Sequence, residues 1–213
     1  MSYSGGIADK TGNIYEAKWV VRQLLDVLRG EAEAVRFESI RREDQGFEFS
    51  VERNGVTEHH QSKLQTSNGN WTLLRLEREG VLTAFKAKLA ASHTERCVFV
   101  SQSPTTQLNG LIGKASLANN AKELEESLGE QDSGNLAEIR RIWATNPDLT
   151  FQWLRRVEVR VIPETEIDGL IDSYIRITFN ESSKVTFPDL RAFLENRMNR
   201  RITTDNGGCA WRN

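Results

Sequence analysis

The chain predicts an α/β fold: a mixed central sheet flanked by helices, with a mainly helical C-terminal extension. Three observations carry this. Helical and strand periodicities alternate through the first hundred residues. An Asn54-Gly55 pair between two alternating runs marks a β-hairpin. Cys97-Val98-Phe99-Val100 is the kind of apolar run that a parallel strand buried on both faces needs.

Residues 1–12 are small and polar and read as a glycine-rich lead-in. From Asn13, a cap candidate, Ile14, Ala17, Val21, Leu24, Leu25 and Leu28 recur at helical spacing, and Gly30 is placed to end that helix. Residues 34–40 alternate as a first strand, Phe47, Phe49 and Val51 as a second, and Val56 to Leu64 return as a third. Asn68-Gly69-Asn70 breaks the pattern, and Trp71 to Ala91 reads as one long helix before the strand at 96–100. Beyond residue 104 the chain is helical and more polar, with an acidic stretch at 123–132 that reads as a solvated face. Val157 to Ile162 is a further alternating strand, ended by Pro163, and helices follow at 164–178 and 187–202. The division expected is a core over 1–103 and, packed on it, a helical extension over 104–213.

The 213 residues, 38% hydrophobic and 27% charged, have the make-up of a water-soluble domain able to bury a sizeable core. A formal net charge of -2 gives no global attraction to nucleic acid, so DNA contact has to come from local arginines and metal ions. No signal peptide and no apolar run long enough to span a membrane is present, and the two cysteines lie far apart. These features point to a reducing, cytoplasmic location.

The chemistry gathers between Glu38 and Lys63. Strand alternation puts His59, Gln61 and Lys63 on one face, with Glu58, His60 and Ser62 on the other. Asp44 precedes Gln61 by 17 positions, near the start of the neighbouring hairpin strand, and Glu48 is a competing acid on that strand. Carboxylate and amide oxygens bind a hard divalent cation, which activates water and offsets phosphate charge. Asp44 is the candidate central ligand, Gln61 a ligand through its amide oxygen, and Lys63 the group that orients the attacking water or stabilises the developing oxyanion. Glu38 and Glu16 would complete the ligand sphere. Spacing leaves open whether Asp44 or Glu48 is the central acid.

The segments Gly12-Asn13-Ile14-Tyr15-Glu16, Val35-Arg36-Phe37-Glu38, Glu43-Asp44 and His60-Gln61-Ser62-Lys63 together resemble the PD-(D/E)xK nucleases. More narrowly, they resemble the dsDNA endonuclease domain of bacterial anti-phage defence, found in CBASS effector nucleases and at the N-terminus of Avs STAND NTPases. The resemblance implies a restriction-endonuclease-like sheet and Mg²⁺- or Mn²⁺-dependent hydrolysis of double-stranded DNA. It implies Asp44, Gln61, Lys63 and Glu38 as the catalytic set, Asp44, Gln61, Glu38 and Glu16 as metal ligands, and Arg41, Arg42 and Lys63 on the DNA. It further implies an NTPase or sensor module C-terminal to this segment in a longer protein, and homo-oligomerisation on activation. An inactive nucleic-acid or protein-interaction domain and an RNA-cleaving nuclease are the rival readings.

Other motifs carry less. His59 and His60 face opposite ways and do not grip one ion together. Gly110 to Ser116 lacks phosphate-loop spacing, and Ser101 and Ser103 sit in no nucleophile elbow. The tryptophans read as core anchors.

Overall fold

A computed structural model of the chain describes residues 5–37, 47–64 and 69–179, with the side chains of 5–13, 178 and 179 left undescribed. Its centre is the hairpin. Asn54 and Gly55 both take positive φ, 51° and 74°, the backbone pair that lets a two-residue turn follow the twist of the strands. The turn joins β2 (Phe49–Arg53) to β3 (Val56–Lys63), and β1 (Ala34–Phe37) pairs antiparallel on the far side of β2. β4 (Glu95–Ser101) and β5 (Val157–Val161) then add in parallel, giving one sheet in the order β1-β2-β3-β4-β5. The expected mixed sheet flanked by helices is what forms.

Strand alternation divides the core in two. Cys97 and Phe99 of β4 point into one cluster, and Val98 and Val100 into the other. The first cluster is covered by α2 (Leu73–Arg78), α3 (Val81–Ala91), α4 (Thr106–Leu117), α5 (Ala121–Glu126), α6 (Glu130–Trp143) and α7 (Pro147–Leu154). The second is covered by α1 (Gly5–Leu28) and α8 (Glu164–Phe179). Trp19, Trp71, Trp143 and Trp153 are all buried, each contributing a large apolar area with a polar handle. The handles of three are satisfied: Trp19 on His60, Trp71 on Ser101 and Trp143 on the Leu82 carbonyl.

Two boundaries differ from the sequence reading. The first helix starts at Gly5 rather than at Asn13, so Gly12-Asn13 lies within it. The helix expected over Trp71–Ala91 is two, because Gly80 takes φ 75° and turns the chain between α2 and α3. The first strand is described over Ala34–Phe37; the remainder expected of it, 38–40, and the expected helix at 187–202 lie outside the described residues.

α1 is fastened to the end of β5 and to α8. Tyr15 donates its hydroxyl to the Ile162 carbonyl at 2.9 Å. The Lys18 ammonium lies 2.6 Å from Glu164 and 2.8 Å from Asp168. Ile167, Ile171 and Ile175, one per turn of α8, are buried in the same cluster as Trp19 and Val21. Among the described residues no helix is long and apolar enough to cross a membrane.

Candidate functional site

Beyond His60 the end of β3 becomes polar without becoming exposed. Gln61 and Ser62 are 2% and 7% exposed. The Ser62 N–H donates to Glu48 Oε2 at 2.9 Å, and the Glu48 N–H donates to the His60 carbonyl at 3.1 Å. The Glu48 carboxyl is thereby held on the Gln61–Ser62 peptide. Burial pushes its pKa up to about 8, helped by the Glu16 carboxylate and opposed by the Ser62 N–H and the Lys63 ammonium. Burial also raises Glu16, again opposed by Lys63. Glu16 from α1, Glu48 from the approach to β2, and Lys63 from the end of β3 thus feel one another's charge. Gln61 Oε1 and Ser62 Oγ are buried and have no hydrogen-bond partner among the described residues, and a buried acceptor in that state calls for an explanation.

Of the residues singled out from the sequence, the structure gathers Glu16 and Lys63 with Glu48, and puts the Gln61–Ser62 peptide against Glu48. Glu38, Arg41, Arg42 and Asp44 lie outside the described residues. The choice between Asp44 and Glu48 is therefore described on one side only: Glu48 is in the cluster. Among the described residues no group of three or more His, Cys, Asp and Glu side chains gathers around a point that could hold a metal.

The two histidines are otherwise engaged, on opposite faces as alternation requires. His59 Nε2 pairs with Glu95, and its ring lies 5.2 Å from that of Phe47. His60 stacks on Phe49 at 4.9 Å and accepts from Trp19 Nε1 at 3.1 Å through Nδ1. Burial lowers the pKa of His60, so the ring is neutral and its proton sits on Nε2, which lies 3.5 Å from the Glu58 carboxylate. Ser101 accepts from Trp71 Nε1 and the Ser103 N–H, and Gly110–Ser116 is inside α4; both are structural.

One polar cluster was not legible in the sequence. Asp26 is 2% exposed and is bonded by Arg53 at 2.5 Å, with Arg22 alongside. Arg53 also reaches Gln23 and Glu58. This ties α1 to the hairpin. Pairing offsets part of the cost of burying the carboxylate. The one sequence cue is that Asp26 shares a helix face with Arg22 and Gln23, four and three residues before it.

No family model matches the chain, and no curated protein matches it. Solved structures do. That of the Acinetobacter baumannii Cap4 SAVED/CARF-domain containing receptor with the cyclic trinucleotide 3'3'3'-cAAA matches with a TM-score of 0.50 at 15% identity, over 93% of this chain and 44% of that one. The Moraxella osloensis Cap4 SAVED/CARF-domain containing receptor matches with a TM-score of 0.49 at 14% identity, over 92% of this chain and 44% of that one. The chain therefore spans less than half the length of these proteins.

This finding corrects the family expected from the sequence. The Acinetobacter baumannii structure is described as a receptor with a cyclic trinucleotide, and not as a PD-(D/E)xK nuclease. The assignment to that nuclease family falls. With it fall the dsDNA-cleaving function and the attributes that came with it: nuclease, hydrolase and STAND NTPase effector. The physical reason is that the motif is weakly restrictive. Any mixed sheet in which a hairpin feeds a parallel strand presents a Gln-x-Lys at that strand's end in the same way. At this level of identity the likeness is one of fold: the chain has the α/β architecture found in part of a SAVED/CARF-domain containing receptor.

Proposed function

We propose that the cluster at the end of β3 binds a nucleotide phosphodiester through a divalent cation, Mg²⁺ or Mn²⁺, within one module of a longer receptor protein. The observation that carries it is the approach of Glu16, Glu48 and Lys63 to one another at the end of β3, with Ser62 Oγ, buried on the sheet face that α1 covers, left without a partner among the described residues. The donors fit a hard cation. They are the carboxyl groups of Glu16 and Glu48, the latter giving up its proton when the cation binds, and the spare Ser62 hydroxyl oxygen, with no soft ligand, and Mg²⁺ completes such a set with waters and phosphate oxygens. Lys63, a point charge beside the two carboxylates, is suited to the phosphate. The buried Cys97 thiol, whose pKa burial raises, suits a reducing cytoplasm. The greater length of the matched receptors supports a place in a longer chain.

The ligand has two sources, a cyclic oligonucleotide and duplex DNA, and the assay separates them. Fluorescent cyclic tri-adenylate and a linear duplex are titrated with the protein in Mg²⁺ and in EDTA, and the products are resolved afterwards to record whether the diester stays intact. Binding in Mg²⁺ that is lost in EDTA, and lost in Lys63→Met and Glu16→Gln variants, is the expected result. Binding of neither ligand, or binding indifferent to EDTA, defeats the reading.

A further inference from the structure

The cluster depends on α1 for one carboxylate, and α1 is held from outside the sheet. Glu16 stands between the two residues that fasten α1 to the β5–α8 segment. Tyr15, fully buried, donates to the Ile162 carbonyl, and Lys18 bridges Glu164 and Asp168 in the first turns of α8. Successive helical residues are about 100° apart around the axis, so the bonds of Tyr15 and Lys18 fix the roll of the helix and with it the direction of Glu16. Trp19 on His60 gives the same helix a reference on β3. The roll of α1 is therefore referred both to the strand that carries Gln61 and Lys63 and to a helix that starts about 150 residues later in the chain.

We propose that the segment running from the end of β5 into α8, through Tyr15 and Lys18, sets where Glu16 stands against Glu48 and Lys63, and so regulates the cation affinity of the site. This rests on the cation reading above. Tyr15 and Lys18 are positioning residues: neither is a ligand, and each acts through Glu16. A shift of that segment along or away from α1 is then felt at the cation.

The test is Mn²⁺ binding followed by electron paramagnetic resonance on the full 213-residue chain, with Lys18→Met, Lys18→Arg and Tyr15→Phe. Leu25→Ala serves as a control that disturbs the α1 core away from the clasp. Outer residues that orient a metal ligand typically carry about 10- to 100-fold in affinity. Lys18→Met and Tyr15→Phe should therefore weaken Mn²⁺ by about tenfold or more. Lys18→Arg should restore it, and Leu25→Ala should lower the melting temperature without moving the Mn²⁺ affinity. A wild-type chain that binds no Mn²⁺ overturns the cation reading and this inference with it. Wild-type binding with Lys18→Met and Tyr15→Phe unchanged overturns the regulation alone. An equal loss in Leu25→Ala also overturns it, because the effect would then be general loosening of the helix.

Discussion

Glu48 should make the protein less stable as the solution becomes more alkaline, and Glu48→Gln should remove most of that dependence. An unfolded glutamate titrates near 4.5, whereas the folded one is pushed up to about 8 by burial and the neighbouring Glu16 carboxylate. Between these values the folded chain holds a proton that the unfolded chain has released. The stability that Glu48 contributes therefore falls as pH rises through the window from 4.5 to about 8, and is level outside it. The gap of about 3.5 pH units, at about 1.4 kcal/mol each, gives about 5 kcal/mol as the whole effect, large against a total stability of about 5–15 kcal/mol. Glutamine keeps the shape and an acceptor for the Ser62 N–H and has no proton to lose. Urea denaturation followed by tryptophan fluorescence at pH 5, 7 and 9 reads the difference. The variant should gain on the wild type by several kcal/mol between pH 5 and 9. Glu16, also raised by burial, leaves a smaller slope in the variant. A wild-type-minus-variant difference equal at pH 5 and pH 9 would refute the account of Glu48 as a buried acid crowded by a second carboxylate.

Two further outcomes are expected. Gly80→Ala should cost about 1–2 kcal/mol in urea denaturation, because φ is 75° there while an added Cβ meets nothing within 4 Å; an unchanged midpoint would mean the α2–α3 turn relaxes freely. Nitrogen NMR should show His60 at pH 7 neutral with the proton on Nε2, since Nδ1 accepts from Trp19; a proton on Nδ1 would contradict that bond.

Much of the fold could be read from local chemistry. Asn54-Gly55 announced the hairpin because two adjacent positive φ values are tolerated by few other pairs. The apolar run at Cys97–Val100 announced a strand covered on both faces, and β4 is flanked by β3 and β5 with a cluster on each side. Gly80 was passed over because Leu76, Val81 and Phe85 keep apolar spacing across it, and spacing does not record that a glycine has turned left-handed. Gly5, Gly6 and Gly12 read as loop because glycine is a poor helix former, yet the helix runs through them. At the site, Glu16, Gln61 and Lys63 were legible as residue types. The place of Glu48 was not, since it depends on the register of β2 against β3 and on one bond to the Ser62 N–H. The Asp26–Arg53 pair was hidden for the same reason: its partners are 27 residues apart and meet through packing.

The strands lie side by side in the order in which they occur along the chain. No strand has to be threaded between two that are already paired, so the sheet can grow outward from the β2–β3 hairpin by edge addition, in step with synthesis from the N-terminus. The clasp of α1 to α8 is the exception. Closing a loop of about 150 residues costs about 4 kcal/mol in chain entropy, far more than closing the hairpin. This grip has to form late, after β5 has brought its partner within reach.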